Sequence, residues 1–189
     1  MDIAHSKTRD QFPLSTKKIL KKTFVGSLGF LFLFFYFGIG AIIAAVAARS
    51  ALGGLSFALA GGFTLAGLAI VASAIFLVYL YQRWYFSVYF YDLTPDYVVI
   101  RKGPIAPREI TLPYERIQDV YVDQDVFDRI LGLYDVHLST ATMTSGMEAH
   151  IDGVEKAAAD GLRSQLLATL QQKLHRTPLS GVPQPPSAQ

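Results

Sequence analysis

Residues 113–136 read PYERIQDVYVDQDVFDRILGLYDV. Arg116, Gln118, Asp119, Asp123, Asp125, Asp128 and Arg129 stand between aliphatic residues there, a density that fits a catalytic site, a metal site or a structural unit. A calcium loop over Asp123–Asp128 needs an oxygen ligand where Phe127 stands and a glycine after it, and has neither. The structural reading accounts for more of the residues. Val120 and Val122 share one face of a strand, and Asp125 caps a short helical piece. Phe127, Ile130 and Leu131 are expected to pack inward. Gly132 then permits the sharp turn into the next strand. On this reading Val120, Val122, Phe127, Ile130, Leu131, Leu133 and Val136 form one core contribution. Arg116, Gln118 and Arg129 are hydrogen-bonding braces.

Working outward, period-2 alternation marks further strands. Phe86, Val88 and Phe90 alternate with Ser87, Tyr89 and Tyr91, which predicts a strand beginning there, and Asp92–Asp96 is a turn. Tyr97–Lys102 is β-branched and ends at Gly103-Pro104. Arg108–Leu112 points Ile110 and Leu112 inward. Tyr134–Thr140 sets Val136 and Leu138 against His137 and Ser139, and Glu148–Ile151 turns Ala149 and Ile151 inward. Residues 141–147 read as a flexible connection. Asp152 with Glu155 has the spacing of a capping box, opening a helix whose stripe is Leu162, Leu166, Leu170 and Leu174, with Ala158 and Leu167 beside it. Short strands with tight connections and one terminal helix predict a curved antiparallel sheet or partial barrel. The Pro-rich segment 177–189 is expected to be disordered.

Upstream the composition changes. No Asp, Glu, Lys, Arg or His occurs in residues 24–48 or 50–82. As a helix, the first of these runs would reach about 37 Å, against roughly 30 Å of bilayer hydrocarbon. The second predicts a loop near Ser50–Ser56 and a span from about Leu59 to Tyr81. Small residues recur every four positions as Gly40, Ala44, Ala48 and as Gly54, Ala58, Gly62, Ala66, so the helices are expected to pack tightest near the loop. Phe30, Phe32, Phe34, Phe35 and Phe37 are assigned to lipid or a neighbouring protomer. With no ionisable group at membrane depth, the hairpin reads as an anchor rather than a transport path.

Four zones follow: a basic tail (1–23), a transmembrane hairpin (24–82), a domain (83–176) and the Pro-rich tail (177–189). The lysines at 17, 18, 21 and 22 place the N-terminus in the cytoplasm, and two crossings return the domain there. Ala45-Val46-Ala47 resembles a signal cleavage site, but the apolar run before it exceeds that of such signals. Residues 92–176 carry nine Lys/Arg against thirteen Asp/Glu, a net of −4, which opposes attraction to polyanions. Arg101, Lys102 and Arg108 around Gly103–Pro107 are the candidate lipid or partner contacts. Cysteine is absent and the four histidines show no i,i+4 pair, so no metal or other cofactor is expected. His137 and Ser139 share a strand face without a third catalytic group, so no enzymatic activity is expected. No nucleotide fingerprint occurs and no nucleic-acid partner is expected.

Arg101-Lys102-Gly103, Pro113-x-x-Arg116-Ile117-Gln118-x-Val120, Gln124, Arg129-Ile130-Leu131-Gly132-Leu133, Val136, Thr140-Ala141 and Leu162-Arg163, behind a two-span hairpin, resemble the bacterial PH-like, YdbS-like membrane protein family over about residues 17–172. The most specific part runs from Arg116-Ile117-Gln118 to Leu131-Gly132-Leu133. The resemblance implies a membrane-anchored α+β chain, in which a two-helix hairpin precedes a PH-like bent antiparallel sheet closed by a C-terminal helix. It also implies a place in the bacterial inner membrane and a link in some members to defence against antimicrobial peptides. The expected partners are membrane lipids, a larger multi-domain relative in the same membrane, or a second copy of the chain.

Overall fold

The computed structural model describes residues 6–140 and 149–176, with side chains through Lys173. The expected flexible connection, Glu148, the Pro-rich tail and the side chain of Leu174 lie outside the described residues. In chain order the elements are α1 (Lys7–Gln11), α2 (Lys17–Ala47), α3 (Arg49–Leu52), α4 (Gly54–Val88), β1 (Phe90–Leu93), β2 (Tyr97–Lys102), β3 (Arg108–Pro113), a 3-10 turn (Tyr114–Arg116), β4 (Ile117–Asp123), α5 (Val126–Leu131), β5 (Leu133–Thr140), β6 (His150–Glu155) and α6 (Lys156–Arg176). They divide into two compact units: Thr16–Ser87, and the residues that precede and follow it.

In the first unit, α2 and α4 are 31 and 35 residues long with mean hydropathies of 2.5 and 2.3, long and apolar enough to cross a membrane. Each extends past its uncharged run, because Lys, Leu, Gln and Arg are good helix formers and nothing there breaks the helix. Val88 therefore ends a helix where the alternation had suggested a strand. Within the uncharged run of α2 the least exposed positions are Ser27, Leu31, Phe34, Gly38, Ala41 and Ala45, continued by Ala48 just past the helix end, in alternating steps of four and three. On α4 they include Ser56, Ala60, Thr64, Gly67, Val71, Ala74 and Val78. This is the 3.5-residue repeat of a coiled-coil seam. It departs from the expected ladders: a Cβ added at Gly40, Gly54 or Gly62 would meet nothing within 4 Å. The tight positions fall instead at Gly26, where an added Cβ would lie 3.3 Å from Val78 Cγ1, and at Gly67, where it would lie 3.5 Å from the Phe34 ring. Phe34 is thus a seam residue, while Phe32, Phe35 and Phe37 are exposed as expected of lipid-facing rings. Toward the loop the helices leave an apolar cleft of about 1040 Å³, lined in part by Ala44, Ala45 and Ala48.

The second unit holds two antiparallel sheets, β1-β2-β3 and β4-β5-β6. Its core is Tyr89, Tyr91, Val98, Ile100, Tyr114, Leu133, Val136, Leu138, Ile151 and Val154 with Ala159, Leu162 and Leu166 of α6, all nearly inaccessible. Inward positions alternate along each strand, as pleated geometry requires. Two expectations change here. Asp152 does not cap α6: residues 150–155 pair with β5 across a register shift, and Asp152 is buried in β6. Tertiary pairing has overridden the local capping pattern. Leu167 is 39% exposed, because the face that meets the sheets runs through 159, 162 and 166.

The N-terminal residues belong to this unit. Ser6 Oγ and Thr8 Oγ1 donate to Asp92 Oδ1 at 2.9 and 2.7 Å, and Ser6 Oγ lies 2.6 Å from Tyr91 O. Leu93 N donates to Thr8 Oγ1 at 3.1 Å, and the Tyr91 hydroxyl donates to Phe12 O. Further on, Leu14 forms a bridge to Val154 and Ser15 N donates to Gly153 O at 2.8 Å. Residues 6–15 form a strap from β1 of one sheet to β6 of the other.

Candidate functional site

The stretch from Pro113 to Val136 folds as a strand–helix–strand unit. Asp125 Oδ1 accepts from Asp128 N at 2.8 Å and Asp128 reaches back to Asp125 N, a reciprocal capping box. Gly132 ends α5 at φ 68°, ψ 32°, a left-handed conformation that glycine takes without steric cost. The side chains of Arg116, Gln118 and Arg129 are exposed. The bond that braces the unit is Gln124 Nε2 to Leu133 O at 2.6 Å. Ile117 is buried. Ile130 is not part of the core: it and Val126, one turn apart on α5, are each 74% exposed. With six residues, α5 has one inward face, taken by Phe127, Asp128 and Leu131.

The basic hairpin lies between β2 and β3. Arg101 and Glu109 are cross-strand partners, and the guanidinium holds Glu109 Oε2 through Nη2 at 2.6 Å and Nε at 2.8 Å. Its carbon also sits 5.8 Å from the centre of the Phe90 ring. Arg101 is therefore committed to Glu109. Lys102 and Arg108 are paired in register at the base of the turn, and Ile105 at its tip is 74% exposed. Gly103 takes φ 99°, and a Cβ there would lie 2.6 Å from Ala106 O, so the tight turn requires glycine.

A polar cleft of about 330 Å³ opens between the β1–β2 turn and α6, lined by Thr94, Asp96, Tyr114, Gln165, Thr169 and Lys173 among others. Lys173 Nζ meets Asp96 Oδ1 at 2.5 Å. The Tyr114 hydroxyl donates to Thr94 O at 3.0 Å. Burial, with Asp92 and Asp96 nearby, pushes that hydroxyl up to about 12. Burial likewise pushes the Tyr91 hydroxyl well above the ordinary tyrosine range.

On the second sheet, Tyr121, His137 and His150 stack across three adjacent strands, with ring centres 4.9 and 5.3 Å apart. His137 Nε2 lies 3.1 Å from Asp123 Oδ1. Among the described residues, Asp123, Asp135 and His137 bring their ligand atoms within 4.8 Å of one another. A search for i,i+4 histidines misses this group. The signal that finds it is Asp135-x-His137 on one strand face, opposite Asp123.

Two apolar helices ahead of two three-stranded antiparallel sheets and a closing C-terminal helix define a PH-like domain behind a hairpin compatible with membrane anchoring. The chain matches the model of the family described as bacterial PH domain over residues 23–170, hairpin included, and belongs to that family. No curated protein and no solved structure matches it.

Proposed function

We propose that this chain is a non-catalytic protein of the bacterial inner membrane that crosses twice, keeps both ends in the cytoplasm, and uses its PH domain to bind protein partners or a second copy. The observation that carries this reading is the pair Val126 and Ile130 on α5. Two large aliphatic side chains, each three-quarters exposed and one helical turn apart, are held rigidly between the Asp125–Asp128 box and Gly132. Exposed apolar side chains on a fixed element favour a protein contact, and anchoring in one bilayer raises the effective concentration of any partner there. A larger YdbS-like relative and a role in envelope stress or antimicrobial-peptide resistance are the finer form of the proposal.

The strap supports the topology. Residues 6–15 precede the hairpin, yet bond to β1 and β6 beyond it, which supports a reading with both flanks on one face of the membrane. Anionic-lipid sensing is the alternative, carried by Lys102 and Arg108 beside Ile105. Arg101's tie to Glu109 and the domain's negative charge weaken it. A photo-crosslinking residue at position 130, in cells, tests the first reading. The expected product is a discrete membrane-protein adduct, reduced by Val126→Asp. Absence of any adduct, together with binding of the full chain in nanodiscs to anionic vesicles that Lys102→Glu with Arg108→Glu abolishes, would favour the lipid reading instead.

A further inference from the structure

We propose that Asp123, Asp135 and His137 form a binding site for a divalent transition cation of the Zn²⁺ type. The sheet register creates the site. Asp123 and Asp135 are direct cross-strand partners, so the register sets two carboxylates side by side on one sheet face. His137 follows Asp135 by two residues, so its ring shares the face, and its Nε2 already reaches Asp123 Oδ1 at 3.1 Å. All three ligand atoms fall within 4.8 Å. Metal–nitrogen and metal–oxygen bonds of about 2.0–2.2 Å can be met from there by small side-chain rotations.

The surroundings pre-set the ligands. The His137 ring lies between Tyr121, at an interplanar angle of 4°, and His150, at 22°, which fixes its plane while Nε2 stays on the Asp123 side. Asp135 Oδ1 accepts from Gly153 N at 2.7 Å, the kind of outer bond that orients a ligating carboxylate. Asp135 itself sits at the register shift between β5 and β6, and such irregularities re-aim a side chain. Two carboxylates supply the charge and one imidazole selects a borderline cation over Mg²⁺ or Ca²⁺. Asp123 is 56% exposed, which leaves an entry path and room for water as the remaining ligands. Binding would cross-link β4 to β5.

The test uses the full chain in detergent after dialysis against a chelator, titrated calorimetrically with Zn²⁺ and, separately, Mg²⁺. The expected result is one saturable Zn²⁺ site per chain, at least tenfold tighter than Mg²⁺. It should weaken at least tenfold in Asp123→Asn and in His137→Gln, and weaken on acidification, because a protonated imidazole cannot ligate. Asp123→Asn is a surface change that leaves folding intact. Co²⁺ gives a second readout, since its visible spectrum should lose intensity in His137→Gln. Zn²⁺ binding that persists unchanged in both variants, or no saturable binding up to millimolar Zn²⁺, would overturn the proposal.

Discussion

Replacing Asp92 with alanine tests whether the strap is part of the fold. Asp92 Oδ1 accepts from Thr8 Oγ1 at 2.7 Å and from Ser6 Oγ at 2.9 Å, and both donors are nearly buried. A hydrogen bond to a charged group contributes about 1.5–3 kcal/mol. Ser6 keeps Tyr91 O and Thr8 keeps Leu93 N as partners, and Asp92 is partly open to solvent, so the lower half of that range applies to each bond. The expected loss from the two bonds is about 3–4.5 kcal/mol. For a domain of roughly a hundred residues, each kcal/mol moves Tm by about 4–8 °C, so Tm should fall by on the order of 10 °C or more. Near-UV circular dichroism of the full chain in detergent reports this through Tyr89, Tyr91 and Tyr114, which are buried in the same core. Trypsin should also cut faster after Arg9 in the variant. A Tm within about 2 °C of the parent, with unchanged cleavage, would refute the reasoning.

Two further outcomes follow from the same unit. Gly161→Ala should destabilise. The helix-propensity gain is about 1 kcal/mol, but the new Cβ collides with the Phe12 ring and overpacking costs about 1–3 kcal/mol; a raised Tm in thermal unfolding would contradict this. Tyr91 and Tyr114 hold their protons more tightly folded than unfolded, so the stability they contribute is present below pH 10 and is lost as pH rises from about 10 toward 12. Ultraviolet titration of tyrosinate should show a late component that shrinks in the Tyr91→Phe, Tyr114→Phe double variant; a late limb unchanged by the double substitution would count against it.

The strands, the hairpin and the capped turn at Asp125 were legible because each is written in local periodicity. What escaped was set by long-range pairing. The Asp152–Glu155 pattern satisfies a capping box, yet β5 claims that backbone. Small residues are so frequent in α2 and α4 that a four-residue ladder can be drawn on several faces. Only the alternating three-and-four spacing through Gly38, Ala41, Ala45 and Ala48 identifies the face that meets the other helix. Ile130 reads as core beside Leu131, but a six-residue helix buries one side only. The strap could not be seen at all, since Ser6 and Asp92 are 86 positions apart. Asp135-x-His137 can be read on one strand, but only the register of β4 on β5 places Asp123 opposite it.

The central claim is that strap and domain share one side of a membrane crossed twice, and absence of cysteine gives it a clean assay. Single cysteines placed at Gln11, Leu55 and Arg163, all exposed positions, are probed in intact cells with a membrane-impermeant thiol reagent. The account predicts labelling at position 55 only, with 11 and 163 reacting once the membrane is opened. Labelling of 11 and 163 on opposite faces would contradict it.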